Sequence, residues 1–384
     1  MISFDYSEQH ELIRDTARKF AQEEILPTTI ERDINSIYPE EIIRKLAELG
    51  FMGIMVKSEW GGSEMDTISY SIAMEEICKV DASVGIIVSV HNSLVNWIVQ
   101  THGSEEQKAK YLPRLAAGEL IGAYVLTEAE AGSDATALTA SADKVDGGWI
   151  LNGTKNWIST AQHADLFIVF VQTNPELKHK GIACFIVEKG TEGFVPGKKE
   201  DKMGMRSSET SSIGITNAFV PDENMIGGVG DGFYIAMQGL NGGRIGIASQ
   251  ALGIAQGAFD AAVKYARERH TMGKPIIQHQ MIQQKIAQMA MKIDAARLLV
   301  HKAAWLRDQG LDHIRAASEA KLYATTIANE ITREAVQIHG GYGYVREYHV
   351  ERMMRDAKVT EIYEGTSEIQ HIVIAREVEK KHLV

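Results

Sequence analysis

Apolar residues along this chain recur at two different periods, and the change of period divides it into three stretches. From the N-terminus to about residue 120 the spacing is helical: Ser7 precedes a helical run over Glu11 to Phe20, and Ser104-Glu105-Glu106-Gln107 reads as a capping box opening another helix. Val84 to Val99 is the most apolar stretch, but His91, Asn92 and Asn96 interrupt it and it is short for a bilayer, so a buried helix is expected. From about 121 to 230 the pattern becomes that of strands. Trp149-Ile150-Leu151 and Trp157-Ile158 flank Asn152-Gly153, a pair suited to a tight hairpin turn. Phe167 to Val171, Ile182 to Val187 and Ile213 to Val220 are further β-branched or aromatic runs. From 231 onward three long stripes alternate spacings of three and four: Ile245 to Ala266, Ile282 to Ala303 and Ala320 to Ala335. Such seams bury one side against neighbouring helices. The expected fold is multidomain α+β: an N-terminal all-α domain (1–120), a middle β-barrel or sandwich domain (121–230) and a C-terminal four-helix bundle (231–384).

Length and charge narrow the function classes. At 384 residues the chain exceeds one ordinary core, consistent with several domains. A net charge of −11 with no basic block argues against nucleic acid as partner. The N-terminus lacks the basic start and apolar run of a secretory signal, so neither export nor a membrane is expected; cytoplasm is the default, with a mitochondrial matrix protein lacking its transit peptide reading the same way. Cys78 and Cys184 stand apart and are expected as free thiols.

No phosphate-binding loop, H-E-x-x-H or G-x-S-x-G is present, and the 13 histidines show no metal-ligand spacing, so no metal is expected. Gly227 to Gly232 does not sit in a βαβ unit and is not a dinucleotide fingerprint. Three clusters stand out. Leu126-Thr127-Glu128 through Gly132-Ser133-Asp134 offers backbone N–H groups and hydroxyls to a ring or phosphate, although an ordinary Asx turn explains it equally. In Gln337 to Gly343 a helix stops at paired glycines, as a left-handed cap or as a site of close ligand approach. In Ile362 to Gln370, Ser367 and Gln370 read as a capping box that starts a helix after Thr366 and leaves Glu364 in the turn before it.

Tyr363-Glu364-Gly365-Thr366-Ser367-Glu368 resembles the signature of the acyl-CoA dehydrogenase family. Leu126 to Asp134, Trp157-Ile158-Ser159, Gly243-Arg244-Ile245-Gly246 and Gln337 to Gly343 match its other landmarks in order, and the similarity extends over essentially the whole chain. The resemblance implies the same three domains, an FAD cofactor and a homotetramer. It places Tyr124, Leu126, Thr127, Gly132, Ser133, Trp157, Ile158 and Ser159 around the flavin, with serine at 159 where relatives often have threonine. It assigns Arg269, Gln280, Gln337, Ile338, His339, Gly340 and Gly341 to the diphosphate and adenosine end across a subunit boundary, and Thr366, Ser367 and Glu368 to FAD contacts at the helix start. Ser133, Asn241, Arg244, Tyr363 and Gly365 match positions near the substrate; many relatives carry aspartate where Asn241 stands.

The implied reaction is α,β-desaturation of an acyl-CoA to the trans-2-enoyl-CoA, with Glu364 taking the α-proton and the β-hydrogen passing as hydride to flavin N5. Isovaleryl and long-chain relatives supply the base at the position of Gly243, which has no side chain here. Ser83 to Gln100 holds no Arg or Lys, which disfavours a glutaryl-type substrate, and Gly243 to Gly253 looks most similar to short-chain (butyryl-CoA) enzymes. Electron-transfer flavoprotein is the implied acceptor. The competing readings are a dehydrogenase of branched or medium-chain acyl-CoAs, an acyl-CoA oxidase, and a catalytically silent flavin or acyl-CoA binding protein.

Overall fold

The computed structural model describes residues 5–382. The N-terminal part holds helices α1 (Glu8–Phe20), α2 (Thr29–Asn35), α3 (Glu40–Glu48), α4 (Thr67–Cys78), α5 (Ala82–Ser89), α6 (Trp97–His102) and α7 (Glu105–Ala116). Ser7 caps α1 by accepting from the His10 N–H. At α7 the Ser104–Gln107 capping box is present in both directions. Between α5 and α6 the helix continues as a π-helical stretch, Val90–Asn96, a local widening that periodicity did not reveal. The whole run Ala82–His102 is long and apolar enough to cross a membrane, but 94% of its most apolar window is buried inside the fold.

The middle part holds β1 (Gly122–Val125), β2 (Ser141–Val145), β3 (Gly148–Ser159), β4 (Leu166–Gln172), β5 (Ile182–Glu188), β6 (Phe194–Lys199), β7 (Thr210–Pro221) and β8 (Met225–Ile226). They form one sheet in the order β6-β7-β3-β2-β4-β5-β8, with β1 parallel to β4. β4 is buried on both faces, which explains its unbroken apolar run. Phe167, Val169 and Val171 enter one core, and Leu166, Ile168 and Phe170 enter another shared with the N-terminal helices.

The expected hairpin at Asn152-Gly153 is not there: β3 runs straight through it. Gly153 sits at a register shift against β7 with φ +141°, and a Cβ there would lie 2.5 Å from the Ala140 Cβ. The pair therefore makes a bulge, while the real turn is Asp146-Gly147, with Gly147 at φ +73° joining β2 to β3.

The C-terminal part begins with α8 (Gly232–Glu268), followed by a short β9 (His270–Thr271) and β10 (Lys274–Pro275) pair, then α9 (Gln280–Asp308), α10 (Ile314–His339), α11 (His349–Thr360) and α12 (Ser367–His382). The glycine run at 227–232 leads into α8, but behind the antiparallel strand β8. The three stripes meet in one core: Ile245 and Ala248 with Met289, Ile293, Ala324 and Ile331. Ile282, Ile286 and Phe259 pack at its edge. Cys78 and Cys184 are free and buried. The architecture is a helical N-terminal domain, a middle sheet and a C-terminal helical domain.

Candidate active site

The turn between α11 and α12 carries the candidate base. Helix α12 starts after Thr366, as expected, but the cap differs: the Thr366 hydroxyl accepts from the Ile369 N–H at 3.4 Å, and Ser367 is the first helical residue. Gln370 does not reach back to close a box on Ser367; its amide donates to the Gly365 carbonyl at 2.8 Å. Lys321 on α10, fully buried, donates to the same carbonyl at 2.6 Å. These contacts hold Glu364 at φ +50° and Gly365 at φ +91°. A left-handed glutamate costs on the order of 1 to 2 kcal/mol, so the surroundings must impose it.

The Glu364 residue is only partly covered, yet both its carboxylate oxygens are shut off from solvent and, among the described residues, have no hydrogen-bond partner. Loss of hydration disfavours the ionised form and raises its pKa from 4.5 to about 7; Lys321 and Arg244 pull in the opposite direction without cancelling it. The carboxylate lies against Gly243 of α8, where a Cβ would come within 2.0 Å of Oε2.

Across from the turn, β3 supplies an aromatic wall. A second register shift between Lys155 and Ile158 puts Trp157 at φ +61° and turns its indole outward, 62% exposed. Below it, buried Lys155 donates to the Leu126 carbonyl at 2.9 Å and to Glu128 at 2.7 Å. Glu128 in turn accepts from Thr139 and from the Ala140 N–H. This buried pair fixes the 126–140 loop, and the sequence reading missed it: its signal was a lysine on an inward strand position opposite a loop acid. Lys321 was missed too, although it stands four residues after Ala317 and four before Thr325 on a buried helix face.

A cavity of about 140 Å³ gathers Glu364, Tyr363 and Gly365 with Tyr124, Leu126 and Thr127. Gly132, Trp157, Ile158 and Ser159 also line it, and Ile86, Val90 and Leu94 form its apolar end. It adjoins a wider cavity of about 490 Å³ that shares Trp157, Ser159 and Tyr363 and extends towards Lys202 and Val359. Ser133 is exposed and does not line either space. Arg244 is buried and donates to Asn241 at 2.8 Å, so these two are brought together, but neither lines the cavity. Thr366, Ser367 and Glu368 stand at the start of α12 beside it.

Arg269, Ile338, His339, Gly340 and Gly341 meet in a separate cavity of about 700 Å³, lined also by Tyr265 and Tyr342. Gln280 and Gln337 are exposed and do not line it. The helix end at Gly340 is not the left-handed cap: φ +61° with ψ −136° is a conformation open essentially to glycine alone. Among the described residues no His, Cys, Asp and Glu group has the arrangement to hold a metal.

The residues between sheet and bundle suit a flat heteroaromatic ring with a polar edge. Trp157 offers an uncovered aromatic face and Ser159 a hydroxyl; outside the cavity lining, at the start of α12, Ser367 Oγ and Gln370 Oε1 are buried polar atoms without partners among the described residues.

Comparison with known proteins agrees with this geometry. Residues 7–119, 123–218 and 230–379 match the models described as the N-terminal, middle and C-terminal domains of acyl-CoA dehydrogenase. A short-chain-specific acyl-CoA dehydrogenase of Clostridium acetobutylicum is 46% identical over 377 residues, covering 98% of this chain and 100% of that one. The butyryl-CoA dehydrogenase structure from Megasphaera elsdenii superposes with a TM-score of 0.97 at 44% identity, covering 98% and 100%. A chain from work on the electron transferring flavoprotein of Acidaminococcus fermentans gives 0.97 at 45% identity, covering 98% and 99%.

Proposed function

The chain belongs to the acyl-CoA dehydrogenase family, and from that membership and its site we propose that Glu364 is the base of a short-chain, FAD-dependent α,β-dehydrogenation. The observation that carries the residue assignment is a carboxylate with no hydrogen-bond partner among the described residues, buried in a cavity between the flavin-type wall and the bundle.

A thioester α-proton is a weak acid, and a glutamate in water is a weak base for it. Desolvation at this turn brings Glu364 to about 7, closer to the task. The Glu364 backbone N–H would stabilise charge on the thioester oxygen. Tyr124, Leu126, Thr127, Gly132, Trp157, Ile158 and Ser159 would hold the ring, joined by Thr366, Ser367 and Glu368. When bound, FAD supplies the acceptor for the β-hydrogen as hydride. Arg244, paired with Asn241 beside the turn, would face the substrate together with Tyr363 and Gly365; Ser133 would act at the rim.

The cavity holding Arg269 and His339 to Gly341 shares no lining residue with the one holding Glu364. This supports an adenosine end held by a second subunit. Met281, Met291, Leu298 and Trp305 leave apolar surface on the outside of α9, between 49% and 68% exposed, which supports a homotetramer. Electron-transfer flavoprotein is the proposed acceptor, and cytoplasm the proposed compartment.

Chain length is tested by anaerobic mixing with straight-chain acyl-CoAs while following flavin bleaching. Reduction should be fastest with the four-carbon thioester; no bleaching with any member would refute the enzymatic reading, and rapid oxygen uptake without added acceptor would favour an oxidase. Behind Tyr363, fully buried Gln250 accepts from the tyrosine hydroxyl and donates to the Ala82 carbonyl at 2.9 Å, bridging α8 and α5. Gln250→Ala is expected to raise the eight- to four-carbon rate ratio on the order of 10-fold. An unchanged ratio in a folded, yellow variant would remove Gln250 from the length limit.

The rate should also fall as pH drops through about 7, because protonation near that value removes the base. Stopped-flow reduction across the acid range measures this. A rate that stays level down to about pH 5 would mean an unshifted carboxylate.

A further inference from the structure

Among the described residues no donor reaches the Glu364 carboxylate, so something other than its carboxylate contacts must place it. The turn beside it is anchored at the Gly365 carbonyl, where two side-chain donors converge: Gln370 at 2.8 Å and Lys321 at 2.6 Å. The lysine is the unusual member. It is fully buried on α10, and among the described residues its ammonium has no carboxylate as an ion-pair partner; the Gly365 oxygen is its one hydrogen-bond acceptor. Burying a cation without a counter-ion is costly, and a carbonyl cap alone could be served by a neutral donor.

We propose that Lys321 is a positioning residue for Glu364, its ammonium clamping the Gly365 carbonyl to fix the left-handed turn and supplying positive charge to a carboxylate that has no donor. This rests on the reading of Glu364 as the base. The two groups complement each other: the ammonium is the largest favourable influence on ionised Glu364, and Glu364 is the largest favourable influence on the ammonium. Burial still dominates for both, drawing Lys321 down to about 8.

The other groups facing the pair are Arg244 from α8, Tyr70 from α4, Tyr124 from β1, Tyr363 in the turn, and Glu361 and Glu368 on its flanks. Both tyrosines on the packed elements and Tyr363 have pKa values above the ordinary range, which keeps them neutral at working pH. Arg244 remains as a second cation, so removing Lys321 weakens the local field without abolishing it.

The test uses the flavin-loaded, substrate-free enzyme. The Glu364 carboxyl stretch is followed by infrared difference spectroscopy against pH, with Glu364→Gln identifying the band, and flavin reduction by butyryl-CoA is measured in parallel. In Lys321→Met the titration midpoint should rise by about 1 pH unit, and neutral-pH reduction should slow on the order of 10- to 100-fold as charge and placement are both lost. Lys321→Arg should leave the midpoint near that of wild type. Lys321→Gln, which keeps a neutral donor, repeats the midpoint measurement if the methionine variant does not take up flavin. A midpoint and rate unchanged in Lys321→Met or Lys321→Gln would overturn the proposal. Loss of folded, flavin-loaded protein in all three variants would also overturn it, by making the lysine a prop of the fold. If Glu364→Gln itself reduces flavin at the wild-type rate, the underlying assignment of the base fails instead.

Discussion

Glu364→Gln is expected to lower flavin reduction by acyl-CoA on the order of 10³-fold or more while FAD uptake is retained. The amide matches the carboxylate in size, so the cavity keeps its shape, but it cannot accept the α-proton; removal of a positioned general base costs roughly 10²- to 10⁴-fold. Among the described residues no other carboxylate lines that cavity to substitute. The same change should stabilise the protein. A carboxyl whose folded-state pKa is raised binds its proton more tightly in the native state, so its contribution to stability is present below the unfolded value near 4.5 and is lost as pH rises through about 7. Above that pH the buried charge costs at most about 3 kcal/mol. Thermal melting of the substrate-free enzyme at about pH 8 should therefore show Glu364→Gln melting higher than wild type, with the difference vanishing near pH 4. An inactive variant that also melts lower at alkaline pH would mean the carboxylate supports the fold, contrary to its lack of hydrogen bonds.

How much of this could be read from residues alone follows from which interactions are local. The stripes Ile245 to Ala266 and Ala320 to Ala335 are periodic, and they pack as their spacing requires. Strand β4 was visible because seven consecutive residues are buried. Asn152-Gly153 misled because a bulge and a hairpin turn use the same backbone freedom, and the choice between them lies in Ala140 and Asn217 across the sheet: the Asn217 N–H donates to Asn152. The helix start after Thr366 was legible, whereas the capping residue was not, since Thr366 and Ser367 are chemically alike and one register apart. Glu364 could be found from its motif, but its missing hydrogen bonds depend on α8 and α10. Lys321 and Lys155 each serve a carbonyl at least 29 positions away, so sequence spacing carries almost no trace of them.

Gly243→Ala is expected to separate the placement of the base from the stability of the fold. A Cβ on Gly243 would lie 2.0 Å from Glu364 Oε2 and 2.9 Å from its Cδ, closer than atoms can remain, and 3.1 Å from a Leu94 methyl, a tight contact. The atoms that must give way are tips of flexible side chains, so the backbone need not move and the strain is relieved by pushing the carboxylate aside. In α8 the glycine has ordinary helical geometry, and alanine at such a position favours the helix by about 0.5 to 1 kcal/mol. Melting temperature should consequently hold or rise. Catalysis should not: a displacement of about 1 Å at a reacting group costs on the order of 10²-fold. In a Glu364→Gln background the same substitution should add little, because the two changes act through one group and their losses are not additive. Flavin-reduction rates for the single and double variants complete that cycle. A Gly243→Ala enzyme with wild-type reduction would show that the carboxylate reaches the substrate from a different place than the one it occupies against α8.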